Sequence, residues 1–296
     1  MRHRADRAQR PHRPQEDRCR TAGLISTASD RSPSPRPRRR EACCAGASVG
    51  ALPADEGRVR GRPDGPRPRR RELVLSRIQR HFPHDRILSE EAGLLDAAGE
   101  RTWLVDPLDG SNNVAIGLPT YVVGIGLCLG STPVMGVVHE PVTGETWHAV
   151  RGHGAYGAAG ALSGPDPRLP RPGPVVAWTQ GYAVERGDVT AVALRAVLEL
   201  RCRRVLQLWA PLLGWSLLAR GTIDAFVGYR AEGVDLPTGA LIAAEAGVDL
   251  RTLSGARFRP GFAGDDSGRS FVAARGETLA HLLREVGGAV SRSAPG

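Results

Sequence analysis

The sequence contains no lysine, and its 40 strongly basic residues are all arginine. This bias indicates a GC-rich coding sequence and says nothing about function. Cysteine is also scarce, because only Cys128 and Cys202 lie beyond residue 44, and neither has the spacing of a metal site. We expect both to be buried apolar residues rather than partners in a disulfide.

Long apolar runs are missing as well. No run reaches the roughly 18 residues that a membrane-spanning helix needs. The N-terminal segment lacks the apolar core of a signal peptide. These absences lead us to expect a cytoplasmic protein with no membrane partner.

The formal net charge of +9 is unevenly distributed. Residues 1–71 hold 19 arginines and 8 acidic residues, whereas residues 72–296 hold 21 arginines and 23 acidic residues. Residues 1–70 are rich in Arg, Pro, Ser and Gly without periodicity, which predicts a disordered tail before one folded domain over residues 71–296. The abrupt change at Arg71 supports the hypothesis that the tail is read from a wrong start or frame. Nucleic-acid binding by the tail is an alternative, although no aromatic residues are interleaved for base stacking.

The spacing of apolar residues predicts the helices and strands of the folded domain. Leu75, Ile78 and Phe82 have helical spacing. Short apolar runs separated by "GST" and "PVTG" predict an antiparallel sheet between residues 101 and 151. Beyond residue 175, strands alternate with predicted helices, which is typical of an α/β arrangement. The helices are predicted near residues 188–201, 211–220, 236–246 and 276–286.

The segment "WLVDPLDG" carries Asp106 and Asp109 directly after an apolar run. Residues three apart in a regular strand face opposite ways, but Pro107 and Gly110 allow the chain to curl. Both carboxylates and the carbonyl of Leu108 then converge, and such oxygen ligands are those that Mg²⁺ prefers. A solvated turn capped by aspartate is the alternative interpretation of this segment.

The next residues, Gly110, Ser111 and Asn112, stand where a helical turn begins. The start of a helix offers free backbone N–H groups and the positive end of a dipole, which suit a phosphate group. The Ser111 hydroxyl can also orient a water molecule. The segment thus predicts a metal site joined to a phosphate site.

Two other segments carry carboxylates at the ends of apolar runs. "RILSEEAG" contributes Glu90 and Glu91, and "GVDLPTGALIAAEAG" contributes Asp235 at the start of a predicted helix. Pro237 in the first turn and Gly247 after the last turn support the bounds of that helix.

Several motifs in succession resemble the inositol monophosphatase family of Mg²⁺-dependent phosphatases. They are "SEEAG", "WLVDPLDGSNN", "GLP", "GVVHEP", "GHGA" and "VDLPTGALIAAEAG", and they span about residues 73–280. The resemblance implies a layered αβαβα sandwich, often a homodimer, with an antiparallel first half and α/β units in the second half. It also implies a phosphoric monoester hydrolase whose partner is a small-molecule phosphate ester.

The resemblance implies roles for individual residues. Ser111, together with Glu90, would orient the attacking water and help to deprotonate it, and Asp109 would be the third catalytic residue. The N–H groups of Gly110 and Ser111 would hold the phosphate, and we expect Asn112 and Trp209 to contact the substrate as well. Glu91 would play a supporting part. The implied metal ligands are Glu90, Asp106, the Leu108 carbonyl, Asp109 and Asp235.

The chain departs from inositol phosphatases on the side that would bind the alcohol. Seven positions before Asp235 the family has an acidic residue, and this chain has Gly228. Trp209, Ala210 and Pro211 replace a Gly-Ser-Ala patch. Trp209 is therefore either a wall of the substrate pocket or a core residue, and we expect a phosphate monoester other than inositol phosphate.

Three other interpretations stay open at this stage. The chain could be a catalytically silent family member that acts as a binding protein, or an inositol-1-phosphate phosphatase proper. "GHGAYG" at residues 152–157 also matches a dinucleotide-binding pattern, but the sequence that follows it does not predict the required helix.

Overall fold

The computed structural model describes residues 66–164 and 172–293. All but the last five residues of the predicted tail lie outside these ranges. Helix α1 spans Pro66–His81 and so begins five residues before the predicted boundary. Residues 66–70, which the sequence analysis assigned to the disordered tail, are thus helical, because proline is tolerated in a first turn, where the N–H groups have no helical partner.

The first half forms an eight-stranded sheet with the order β2-β1-β3-β4-β5-β6-β7-β8. From β3 onward each strand pairs antiparallel with the next, which confirms the predicted meander, while β1 pairs parallel with β3. A short helix, α2 (Ser111–Ala115), lies between β3 and β4. The strands are β1 (Arg86–Ser89), β2 (Gly93–Leu95), β3 (Arg101–Asp109), β4 (Val122–Leu129), β5 (Thr132–Glu140), β6 (Glu145–Val150), β7 (Ala155–Gly157) and β8 (Gly160–Ala161).

The second half forms a five-stranded sheet with the order β10-β9-β11-β13-β12. The first three strands in this order are parallel, and the last two join antiparallel. The predicted alternation of strands and helices is confirmed, although the last helix continues beyond residue 286. The elements are β9 (Val175–Gln180), α3 (Val189–Arg201), β10 (Arg204–Leu206), α4 (Pro211–Ala219), β11 (Ala225–Tyr229), α5 (Asp235–Glu245), β12 (Asp249–Arg251), β13 (Phe271–Ala274) and α6 (Gly276–Ser293).

Helices α4 and α5 lie between the two sheets. On one side Leu212 and Ile242 pack against Val138 of the first sheet. On the other side Trp215 stacks on Phe271 of the second sheet, with 4.8 Å between ring centroids. Burial of these large side chains supplies the main driving force for joining the layers.

The outer faces are covered by other helices. Leu194 of α3 and Leu282 of α6 are fully buried against the second sheet. Leu75 and Ile78 of α1 pack against Trp103 on the first sheet. The layers therefore follow the order αβαβα, and among the described residues α1 alone covers the outer face of the first sheet.

Two sequence expectations concern cysteines and membranes. Cys128 and Cys202 are both free, as predicted, with Cys128 buried and Cys202 half-buried. Burial raises the pKa of the Cys128 thiol to about 12, which keeps it unreactive. Within the described ranges, no helix combines the length and the apolar character that crossing a bilayer requires.

Candidate metal and phosphate site

Three aspartates from two elements meet between the sheets. Asp106 and Asp109 belong to β3, and Asp235 is the first residue of α5. One carboxylate oxygen of each lies within 4.8 Å of those of the other two. All three side chains are buried, with at most 8% of their surface exposed. We refer to Asp106, Asp109 and Asp235 as the aspartate cluster.

The convergence of Asp106 and Asp109 follows from a break in the strand. The ladder between β3 and β4 is regular up to Asp106 and shifts register before Asp109 pairs with Val122. Pro107 has no N–H to donate to a neighbouring strand. The Leu108 N–H donates instead to Asp106 Oδ1 at 2.8 Å. The chain thus curls as predicted, and residues three apart come together.

The electrostatics of the cluster are unfavourable for three bare carboxylates. Burial raises the pKa of Asp106, and the charges of Asp235 and Glu90 raise it further. The pKa of Asp109 is also raised, first by burial and then by the charge of Asp106. The Leu212 N–H donates to Asp109 Oδ2 at 2.8 Å, and this bond opposes the rise. A buried group of like charges is costly unless a cation offsets it.

Asp235 carries the oxygen atom that best fits such a cation. Burial and the charge of Asp109 raise the pKa of its carboxyl group. Its Oδ1 is buried without a hydrogen-bond partner in the described part of the chain. An unpartnered buried oxygen beside two other carboxylates fits the hard oxygen ligands that Mg²⁺ takes.

Glu90 and Glu91 lie in the turn after β1, and both are exposed. The negative charge of Glu90 raises the pKa of each member of the aspartate cluster. Its carboxylate is nevertheless not part of the group of described residues that meets within 4.8 Å, so its role as a metal ligand stays a prediction. The Glu90 N–H donates to the carbonyl of Val105 on β3, at 3.3 Å. This bond attaches the turn to the strand that carries Asp106.

The predicted helical turn is present directly after Asp109. Helix α2 begins at Ser111, and Gly110 caps it with a φ of 92°, which favours glycine. A side chain at Gly110 would also lie 2.6 Å from the Thr120 carbonyl oxygen. Ser111 and Asn112 are half-buried beside the cluster. Leu108 is buried in β3, and metal binding by its carbonyl stays a prediction.

Asn113 is a residue whose role the sequence analysis missed. It is 2% exposed, and its Nδ2 donates to the carbonyls of Thr120 and Leu208, both at 2.7 Å. The side chain therefore connects α2 to the loop before α4. Asn113 lies in "GSNN", next to the predicted phosphate site, and this position was the signal that could have identified it. A buried amide there needs partners for its two N–H groups.

Trp209 lies in that loop and is 53% exposed, so the interpretation of Trp209 as a core residue is wrong. Its backbone has a φ of 51°, in the left-handed region. Gly228 is buried in β11, and a Cβ there would lie 2.3 Å from the ring of Phe271. The space of the family's acidic residue is thus filled by a core aromatic ring.

Tyr182, in the loop after β9, was also missed. It is 72% exposed, and its backbone N–H donates to Glu232 Oε1 at 2.8 Å. Partial desolvation raises the pKa of the phenol, and the charges of Glu90 and Asp235 raise it further. Tyr182 therefore presents a largely exposed ring, on a loop that bonds to the loop after β11.

The glycine-rich segment 152–157 has a structural role. Strand β7 begins at Ala155 and β8 follows it, so no helix comes next, as expected. The N–H groups of Gly152 and Gly154 donate to the two carboxylate oxygens of Glu245, at 2.8 and 2.9 Å. These bonds hold the segment against the end of α5, and the dinucleotide interpretation lacks its helix.

Comparison with known proteins connects this geometry to a family. The model of the inositol monophosphatase family matches residues 69–291. Inositol monophosphatase 1 of Solanum lycopersicum is 30% identical over 198 residues, which are 63% of this chain and 70% of that protein. Histidinol-phosphatase of Streptomyces coelicolor is 28% identical over 199 residues, or 64% and 72% of the two chains.

Solved structures resemble the fold. The IMPase of Thermotoga maritima has a TM-score of 0.62 at 25% identity, covering 76% of this chain and 82% of that one. SuhB of Mycobacterium tuberculosis has a TM-score of 0.59 at 27% identity, covering 75% and 82%. These similarities confirm the layered α/β fold that the sequence motifs implied.

Proposed function

Because the chain belongs to the inositol monophosphatase family, we propose that it hydrolyses a small-molecule phosphate monoester in a reaction that depends on Mg²⁺. The observation that carries this proposal is the aspartate cluster, whose three carboxylates lie within 4.8 Å of one another beside the start of α2. A buried cluster of this kind has no evident structural purpose, since it destabilises the fold unless it binds a cation.

The residues present fit Mg²⁺. Asp106, Asp109 and Asp235 would hold it, together with Glu90 at the mouth of the cluster and the carbonyl of Leu108. The unpartnered Oδ1 of Asp235 is the atom that most needs a cation. When bound, Mg²⁺ lowers the pKa of a water molecule and offsets the negative charge that develops on the phosphate oxygens.

The chain's own groups would then orient the reactants. The Ser111 hydroxyl orients the attacking water, and Glu90 accepts its proton. The N–H groups of Gly110 and Ser111 donate to the phosphate oxygens at the start of α2. The water oxygen bonds to phosphorus as the P–O bond to the alcohol breaks. The alkoxide that leaves takes a proton from solvent, and Glu90 releases the proton it accepted to solvent.

The substrate is a phosphate monoester other than inositol phosphate. The names of relatives include inositol monophosphatase and histidinol-phosphatase, so ester preference varies among them. At Gly228 this chain has no side chain to bind ring hydroxyls, and Phe271 leaves no room for one. Nearby Arg230 directs its Nε and Nη2 groups to Asp266, at 3.2 and 2.9 Å.

The test is phosphate release from a panel of monoesters by the purified chain, with Mg²⁺ and with a chelator in excess. We expect turnover of at least one ester with Mg²⁺ and none with the chelator. Turnover that the chelator does not affect would overturn the metal dependence. Binding of esters without any turnover would favour a silent binding protein.

We also infer from the family resemblance that the protein is a homodimer, and we propose separately that it lies in the cytoplasm. Sedimentation of the purified chain tests the dimer, and a monomer at micromolar concentration would overturn it.

A further inference from the structure

Two exposed aromatic residues lie on the edge of the second sheet where the aspartate cluster is found. Strands β10, β9 and β11 are parallel neighbours, so their carboxyl ends meet at one edge. The loop after β10 carries Trp209, and the loop after β9 carries Tyr182. The loop after β11 leads to Asp235. In open α/β sheets, ligands bind outside the carboxyl ends of the strands.

The loop with Trp209 is fixed relative to the cluster from both sides. The carbonyl of Leu208, before it, accepts from Asn113 Nδ2 at 2.7 Å. The N–H of Leu212, three residues after it, donates to Asp109 at 2.8 Å. Trp209 also lines a small cleft with Thr179, near the end of β9. The backbone at Trp209 is therefore fixed relative to the cluster.

The conformation of Trp209 supports a functional role. A non-glycine residue in the left-handed region costs about 1–3 kcal/mol, and such strain concentrates at ligand sites. Here the strained residue keeps 53% of its surface exposed, so burial in the core does not offset that cost. The hydrogen bonds at Leu208 and Leu212 hold the loop in this conformation, which leaves the indole exposed for contact with a ligand.

Tyr182 is held in an equally defined place. The Gly181 N–H donates to the Tyr229 carbonyl at 3.2 Å, and the Tyr182 N–H donates to Glu232 Oε1 at 2.8 Å. A Cβ at Gly181 would lie 2.1 Å from the Arg230 carbonyl oxygen, so the two loops are in close contact. The backbone is thus anchored, while the ring is exposed.

We propose that Tyr182 and Trp209 form an aromatic clamp that selects a phosphate monoester whose alcohol carries a planar aromatic ring. The proposal deepens the phosphatase assignment and rests on it. The phosphate would lie at the aspartate cluster, and the ring of the alcohol would contact the indole and the phenol. Aromatic contacts are worth about 0.5–1.5 kcal/mol each beyond the area they bury.

A matched pair of esters isolates this effect. 2-Phenylethyl phosphate and 2-cyclohexylethyl phosphate have similar size and leaving alcohols of similar acidity, and they differ in the aromatic ring. The assay is the ratio of kcat/KM for phosphate release with Mg²⁺. Two aromatic contacts predict that the intact chain prefers the phenyl ester by about fivefold or more.

Substitutions of Trp209 and Tyr182 test whether the preference for the phenyl ester arises from the clamp. Trp209→Leu and Tyr182→Leu should each lower the ratio at least about twofold, and Trp209→Phe should retain most of it. Tyr156→Leu removes an exposed aromatic side chain from β7 and should leave the ratio unchanged. Adenosine 3′-phosphate and adenosine 5′-phosphate, assayed alongside, distinguish a nucleoside from a simple aryl alcohol as the source of the ring.

The possible results separate the two levels of the proposal. Turnover of both esters with a ratio near one, or a ratio that neither leucine variant changes, overturns the clamp and leaves the phosphatase assignment intact. Phosphate release from no ester at all overturns the phosphatase assignment, and the clamp with it. Unchanged melting temperatures of the variants show that the loss of preference is not a loss of fold.

Discussion

Asp235→Asn should stabilise the protein in the absence of metal ions and weaken its stabilisation by Mg²⁺. The Oδ1 of Asp235 is buried without a partner in the described residues, and the charge of Asp109 lies nearby. An asparagine removes one negative charge and brings an amide that can donate to a neighbouring carboxylate. The same change removes a charged ligand from the proposed Mg²⁺ site.

The structure sets the scale of the effect. An unsatisfied buried acceptor costs about 1–3 kcal/mol. About 1 kcal/mol moves the melting temperature of a domain of this size by about 2–4 °C. We therefore expect the variant to melt about 2–12 °C higher than the natural chain in a chelator. Mg²⁺ at about 100 times its dissociation constant should raise the melting temperature of the natural chain by about 5–10 °C, and that of the variant by much less.

The assay is thermal unfolding of both proteins, with a chelator and with Mg²⁺. Asp249→Asn is the matched control, because it removes the same charge from an exposed position on β12 and should change neither melting temperature. A variant that is less stable than the natural chain in chelator, or one that gains as much from Mg²⁺, would refute the reasoning.

Three further predictions follow from the site and the fold. Burial and neighbouring charges raise the pKa of Asp106, Asp109 and Asp235 above the ordinary 3.8. The folded state therefore binds more protons than the unfolded state. In a chelator, the free energy of unfolding falls as the pH rises from about 4 through the raised pKa values. The metal-free chain should therefore melt higher near about pH 5.5 than near about pH 7.5, and the opposite order would contradict the assignment. Myo-inositol 1-phosphate should be cleaved with a kcat/KM at least ~10-fold below that of the best ester in a broad panel. This factor corresponds to the loss of about one hydrogen bond in the transition state. The prediction is wrong if inositol phosphate has the highest kcat/KM of the panel. A chain that starts at residue 61 should keep the melting temperature of the full chain, since the described core begins at Leu75, and a clear drop would show that the earlier residues contribute to the fold.

Local sequence was enough to predict the segment that carries Asp106 and Asp109 and most of the helices and strands. Pro107 and Gly110 flank the curl that brings Asp106 and Asp109 together, so all the information lies within five residues. The long strands and helices were also predictable, because each presents a clear apolar period. Strands of two or three residues, such as β8 and β12, have too few positions to show a period.

The missed site residues depend on partners far along the chain. Asn113 bonds to Leu208, 95 residues away, and Tyr182 bonds to Glu232, 50 residues away. The sequence also shows that an acidic residue is absent at Gly228, but only the structure shows that Phe271 fills its space. Such relations arise from packing of distant segments, which no local pattern encodes.

The most direct test of the proposed mechanism is the turnover of Asp109→Asn at saturating Mg²⁺, with the best ester of the panel as substrate. The change keeps nearly the same shape and an oxygen that can accept from the Leu212 N–H, so the fold should survive. We predict a loss in kcat of at least ~100-fold, because the offset of charge by a bound metal ion is worth several kcal/mol. A variant that folds and turns over as fast as the natural chain would contradict the assignment of the aspartate cluster as the catalytic site.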